Sequence, residues 1–432
     1  MSVTNELLLT GLTLLDHTKQ VFGHVHIVGD RIGAIYADGD DLPNVNRTID
    51  LTGLTVTPGL VDIQVHFREP GGEGSETIRS GTDAAVAGGM TAVVTMPNTN
   101  PAVDSVEVVR DIQSIAAKEA HRLDIVMSGC LTVGRQGAKN VDYAALYEAG
   151  VRLFTDDGDA VMDAALMRNA LQASTQLPGM VVAQHCEDAN LVAGGVLTEG
   201  PVADQLGVAG RPGVAETIIV ARDIELARDT RGRYHVLHLS TGASLALVRQ
   251  AKADGLAVSC EVTPQHLVLT AYDVPRLGTS GRMNPPLRTA SDVQALREGL
   301  KAQVIDAIAT DHAPHAPALK AKPLDQAPPG MLGVETSWQV AWTHLVLPGI
   351  ISPCQLVWAM STRPAMIAGL HRHGQPIVPG SVANLTVIDL AATQMISNES
   401  IRSQSRNSPW LGDVFYSKVE MTLKDGAMVN DN

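Results

Sequence analysis

From Val56 onward one rhythm repeats along the chain: a short apolar run, then a segment of helical length in which apolar positions recur on one face, then another run. The runs fall at 60–63, 91–94, 123–126, 151–154, 180–183, 234–237, 257–260 and 304–308. Such alternation predicts βα units feeding a parallel sheet buried on both faces. Eight units over about 290 residues have the size of a (β/α)8 barrel of the TIM type. An open doubly wound sheet would carry a glycine-rich nucleotide turn, and no G-x-G-x-x-G follows the first run. Before the barrel, Leu7 to about Leu54 reads as short alternating strands broken by turn residues, for example at Val25-His26-Ile27-Val28 and Gly29-Asp30-Arg31-Ile32. Beyond Pro376 short strands return, notably across 381–389. The pattern therefore predicts an α/β fold. Residues 56–375 form the barrel, while residues 1–55 and 376–432 pair as the two parts of one small β-sandwich.

Composition narrows the chemistry. The chain has 432 residues, with 32 Lys+Arg against 46 Asp+Glu, and a formal charge of −14. That balance argues against a nucleic-acid partner held by counterion release. Aromatic residues make up 3%, which leaves little material for stacking platforms. No run approaches the roughly 20 apolar residues of a membrane helix. The N-terminal residues lack the basic stretch and cleavage site of a secretory signal, and the four cysteines form no C-x-x-C pair. The expectation is a cytoplasmic protein with no membrane partner.

In a parallel barrel the C-terminal ends of the strands converge on one face, so residues just after the runs assemble a site. After the first run come Gln64, His66 and Arg68, two apart and expected on one face of the strand. Asp156-Asp157-Gly158 follows the fourth run, His185 the fifth, His238 the sixth, and Asp311-His312-Ala313-Pro314-His315 the eighth. Imidazole and carboxylate are the donors a borderline divalent ion such as Zn²⁺ takes, and two ions sharing a hydroxide would give a nucleophile near neutral pH. His235, three before His238, is expected on the opposite face as a structural residue. His24, His26, His121, His344, His371 and His373 lie outside strand ends and read as packing or surface residues.

These stretches also carry a resemblance. The segment 58–71, Met96-Pro97-Asn98-Thr99, 154–158, His185-Cys186-Glu187-Asp188, 235–241, Asn284-Pro285-Pro286-Leu287-Arg288 and 309–315 occur in one order. Together they resemble the dihydroorotases, class I type, of the amidohydrolase superfamily. The resemblance implies interconversion of N-carbamoyl-L-aspartate and (S)-dihydroorotate in pyrimidine (UMP) biosynthesis, with Zn²⁺ as cofactor, one or two ions per chain. It implies His66 and Asp311 as ligands of one metal, His185 and His238 as ligands of the other, and Asp157 as the bridge. Asp311 would be the general acid/base, taking the proton of the hydroxide that attacks the ring carbonyl. His66, Arg68, Asn98, Asn284, His315, Pro329 and Gly330 match the substrate-binding positions, with Arg68 as the guanidinium fork for the substrate carboxylate. Related barrels pair as homodimers. The irregular Ala/Pro-rich stretch from Ala313 to Gly330 reads as a lid over the site.

One position departs from the pattern. The first strand of the family reads His-x-His, and here Gln64 replaces the first histidine, so Gln64 is expected either to ligate weakly or to leave the His66–Asp311 metal short of an anchor. Two alternatives follow: a noncatalytic, dihydroorotase-like partner of aspartate transcarbamoylase, and a ring amidohydrolase of the allantoinase or hydantoinase type. Thr263-Pro264-Gln265-His266 departs as well, where relatives commonly carry consecutive histidines. No role is assigned there.

Overall fold

Eight parallel strands form the centre of the computed structural model, which describes residues 6–431. They are Leu60–Val65, Met90–Thr95, Asp124–Met127, Leu153–Phe154, Val181–Gln184, Tyr234–Val236, Val258–Val262 and Ala307–Ile308. The first three pair with one another and the last five with one another. Parallel bridges Gly129↔Phe154 and Val65↔His312 join the two groups, closing the ring. The fold is a (β/α)8 barrel with an accessory β-sheet.

Alternation along each strand explains why these runs became barrel staves. Leu60, Val93, Val182 and Val236 point outward into the core beneath the helices. Their neighbours Val61, Ala92, Ala183 and Leu237 point into the ring with Ile63, Ala307 and Ala309. Small alanines dominate the inner set, as a narrow interior requires. Hydroxyl residues then start the helices: Thr241 Oγ1 accepts from Ser244 N at 3.2 Å and Thr289 Oγ1 from Asp292 N at 3.2 Å. Two staves begin well after their apolar runs do. Val304 and Ile305 turn their N–H groups back to Gly299 O (2.9 and 3.2 Å), and Val151 N bonds Leu146 O (3.1 Å). The first residues of those runs thus finish the preceding helix before the strand begins.

The two ends of the chain meet in a single eight-stranded sheet. Thr55–Pro58 runs antiparallel to Leu385–Met395, which pairs with Val414–Lys424, while Glu6–Leu15 leads to the hairpin of Gln20–Val28 and Arg31–Tyr36. Gly29 takes φ +62° in the two-residue turn of that hairpin, a conformation glycine adopts without steric cost. Gly59 N→Asn384 O (2.8 Å) and Thr422 Oγ1→Val86 O (2.7 Å) bind sheet to barrel. Among the described residues no helix is long and apolar enough to cross a membrane.

Candidate active site

A cavity of about 220 Å³ opens where the strands end, lined by His66, Arg68, Asn98, Asp157, Gly158, His185, His238, Asn284, Asp311, Ala313, His315, Pro329 and Gly330. Every residue expected at the site lines it except Gln64. Asp157 sits at the centre. Its Oδ1 lies 3.6 Å from His185 Nδ1 and 3.4 Å from His238 Nε2, and its Oδ2 lies 3.2 Å from His66 Nε2. His66 Nε2 also meets Asp311 Oδ1 at 2.9 Å. Two clusters that could hold a metal ion result, Asp157–His185–His238 and His66–Asp157–Asp311, all buried and sharing Asp157.

The backbone is bent to achieve this. His238 and Asp311 take φ +29° and +49°. Such left-handed geometry costs a non-glycine residue about 1–3 kcal/mol, so the surrounding packing must hold it in place. Gly158, at φ +92°, leaves room that a Cβ would take from Arg135 Nη2 (3.0 Å) and Asn98 Nδ2 (3.5 Å). His66 is fixed from behind: its main-chain N bonds His312 O (2.8 Å), and its Nδ1–H donates to Asn98 Oδ1 (2.9 Å). His185 Nε2–H donates to Glu187 Oε2 at 3.1 Å.

The charges in the cluster answer one another. Burial alone would push the Asp157 carboxyl up, yet the imidazoles of His185, His238 and His66 hold it well below the usual range. Burial would lower His185, but Asp157 and Glu187 raise it to about 10. Burial brings Arg68 down to about 10, which leaves it protonated at neutral pH. Its Nε donates to Pro314 O (3.2 Å), and among the described residues its terminal nitrogens form no ion pair. Burial, with Arg68 nearby, drops His315 to about 3, so it is a neutral ring whose Nε2–H donates to Pro329 O (2.8 Å).

The donor set fits a divalent cation. His185 Nδ1 and His238 Nε2 face each other at 2.9 Å, both turned toward a carboxylate oxygen. With Nε2–H committed to Glu187, Nδ1 is the nitrogen His185 turns to the cluster, and a cation bound there would take the place of its proton.

The expectation attached to Gln64 is overturned. Both clusters that could hold an ion consist of intact histidines and aspartates, and each has three ligand atoms without position 64. Gln64 is fully buried behind the cavity, where its Nε2 donates to Asp157 Oδ1 at 3.3 Å. The alternation does bring Gln64, His66 and Arg68 to one face: Gln64 and His66 both reach the Asp157 carboxylate and Arg68 lines the cavity, but Gln64 approaches with a donating N–H and so offers that cluster no ligand atom. The stretch from Ala313 to Gly330 contains the short helix Pro317–Lys320 and is strapped down. Asn407 Nδ2 donates to Ala313 O (2.9 Å) and Gly330 O (3.0 Å), and Lys320 Nζ to Pro328 O and Gly330 O (3.0 Å each).

Sequence reasoning gave no role to Glu187, Arg211, Arg135 or Asn407. Glu187 stood in plain view two residues after His185, but Arg135, whose Nη2 donates to Asp157 O at 2.8 Å, follows no strand run. His266 turns out to bond Thr263 Oγ1 (2.9 Å) and Pro285 O (3.1 Å), steadying the segment that carries Asn284. His235 is structural, bound to Ser259 (2.7 Å) and Glu261 (3.1 Å) inside the barrel.

Comparison with known proteins agrees with this geometry. The dihydro-orotase-like family pattern matches residues 53–244. A dihydroorotase of Pelotomaculum thermopropionicum is 44% identical over 383 residues, covering 89% of this chain and 88% of its own. That of Mycobacterium leprae is 41% identical, covering 97% of each chain. In fold, the L-hydantoinase of Arthrobacter aurescens superposes with a TM-score of 0.87 at 24% identity, over 98% of this chain and 96% of its own. Fold and site together define a metal-dependent cyclic amidohydrolase of the dihydroorotase type. The chain belongs to the dihydroorotase family.

Proposed function

We propose that this hydrolase is a dihydroorotase, interconverting (S)-dihydroorotate and N-carbamoyl-L-aspartate in pyrimidine biosynthesis, with zinc as its metal. Residues 56–375 serve as the catalytic barrel and residues 1–55 and 376–432 as its accessory module. The single observation that carries the substrate choice is Arg68. It presents a protonated guanidinium to the cavity with its terminal nitrogens free of any carboxylate among the described residues. A buried fork of that kind calls for a ligand carboxylate, which dihydroorotate has and an uncharged hydantoin or dihydrouracil ring lacks.

The other roles follow from position. Asp157, His185, His238, His66 and Asp311 are the residues that would hold the cation. When bound, it supplies Lewis acidity, polarising the ring carbonyl and making water nucleophilic near neutral pH. Asp311, oriented by His66, takes a proton as water adds to the carbonyl carbon, then delivers it to the ring nitrogen as the C–N bond breaks. Asn98, Asn284 and neutral His315 offer hydrogen-bonding groups around the ring. Pro329 and Gly330 wall its far side; the Pro329 carbonyl, which accepts from His315, keeps a lone pair, whereas Lys320 and Asn407 fill those of Gly330. Four cysteines without a disulfide suit a reducing cytoplasm.

The test compares kcat/KM for dihydroorotate and dihydrouracil in zinc-loaded protein. The expected preference for dihydroorotate is about 10³-fold or more, because the uncharged ring leaves Arg68 unpaired. Equal rates, or preference for the uncharged ring, would favour a hydantoinase-type enzyme instead.

A further inference from the structure

Each cluster contains an imidazole that turns one nitrogen toward Asp157 and gives the other to a holder, and the two holders differ in charge. His185 gives Nε2–H to Glu187 Oε2 at 3.1 Å, and the same oxygen takes a bond from Arg211 Nη1 at 2.7 Å. Arg211 is fixed in turn by its Nε on Gly195 O at 2.8 Å. Glu187 is only 4% exposed, so its charge is poorly screened, and Arg211 offsets the cost of burying it. His66, by contrast, gives Nδ1–H to the neutral amide oxygen of Asn98 at 2.9 Å. A carboxylate that accepts an imidazole N–H fixes the tautomer and increases the basicity of the opposite nitrogen, and an amide does so less.

We propose that Glu187, anchored by Arg211, is a positioning residue that locks His185 with Nδ1 toward the metal. It thereby makes Asp157–His185–His238 the tighter of two cation positions. His66–Asp157–Asp311 is then the position that fills second and exchanges more readily. This rests on reading both clusters as cation sites.

The experiment titrates the metal-free full-length chain with Zn²⁺ against a competing chromophoric chelator. Two binding steps are expected. Asp311→Ala, which touches only the second cluster, removes the weaker step and keeps the tighter one. Glu187→Gln preserves shape and an acceptor oxygen but not charge, and weakens the tighter step about 10- to 100-fold while the weaker step moves by less than about threefold. Arg211→Lys, a milder change at the rim of the network, weakens the tighter step several-fold and gives a reading if Glu187→Gln folds poorly. A tighter step unchanged in these variants, or equal losses in both steps, overturns the proposal. A natural chain that takes up no zinc overturns instead the reading of the clusters as cation sites.

Discussion

At the ends of the fifth and sixth barrel strands, ionised groups brace the site: His185 leans on Glu187, and Glu187 on Arg211. At the ends of the first and eighth strands the group that holds the His66 ring is neutral. His66 rests on the Asn98 amide and on the His312 carbonyl, and beneath them Asp62 accepts from Thr310 N at 3.1 Å and Gln64 N at 3.1 Å. Burial raises the Asp62 carboxyl to about 7 despite those bonds, so this flank keeps a proton where an exposed aspartate would not. The difference bears on how firmly each flank would hold a cation: an imidazole backed by fixed charge holds an ion better than one backed by an amide.

Four substitutions would break or sharpen that contrast. The largest effect belongs to Asp157, which both flanks share: Asp157→Ala should empty both cation positions and cost about 10⁴-fold or more in kcat/KM, read by metal analysis and a ring-opening assay. Asp311→Asn should lower kcat about 10²- to 10⁴-fold while the Asp157–His185–His238 position stays filled; loss of both ions would erase the contrast between the flanks. Arg68→Ala should cost roughly 3 kcal/mol of substrate binding, about 100-fold, with zinc content unchanged. Parallel loss of zinc would mean that Arg68 supports the metal cluster instead.

The smallest effect concerns pH. The folded value of Asp62 lies above the unfolded one, so the folded chain retains a proton that the unfolded chain releases. Its stabilising contribution is complete below about pH 4 and declines as pH rises toward 7, by a few kcal/mol and about 4 at most. Asp62→Asn should flatten that decline in urea unfolding measured at several pH values. An unchanged slope would place the titration elsewhere.

The barrel was legible in the sequence because its strands are buried on both faces and so appear as largely apolar runs between segments of helical length. The mouth was legible because parallel strands all end on one side, which made His66, Asp157, His185, His238 and Asp311 neighbours despite their separation along the chain. Gln64 was misjudged for a chemical reason. Periodicity put it beside Asp157 correctly, but spacing does not tell which end of an amide faces inward, and the N–H that meets Asp157 is a donor, while both clusters have three ligand atoms without it. Asn407 left no periodic signal, since it reaches the site from an irregular segment of the C-terminal part and its contribution is hydrogen bonds to the Ala313 and Gly330 carbonyls. Glu187 was missed because a carboxylate that supports a ligand looks, in sequence, like any other charge beside a strand end.

Zinc-edge anomalous diffraction from a crystal of the zinc-loaded chain, with dihydroorotate added, tests the central claim most directly. The account predicts metal density enclosed by Asp157, His185 and His238, weaker density between His66 and Asp311, and the substrate carboxylate on Arg68. Zinc bound only at other histidines, or a substrate carboxylate turned away from Arg68, would contradict it.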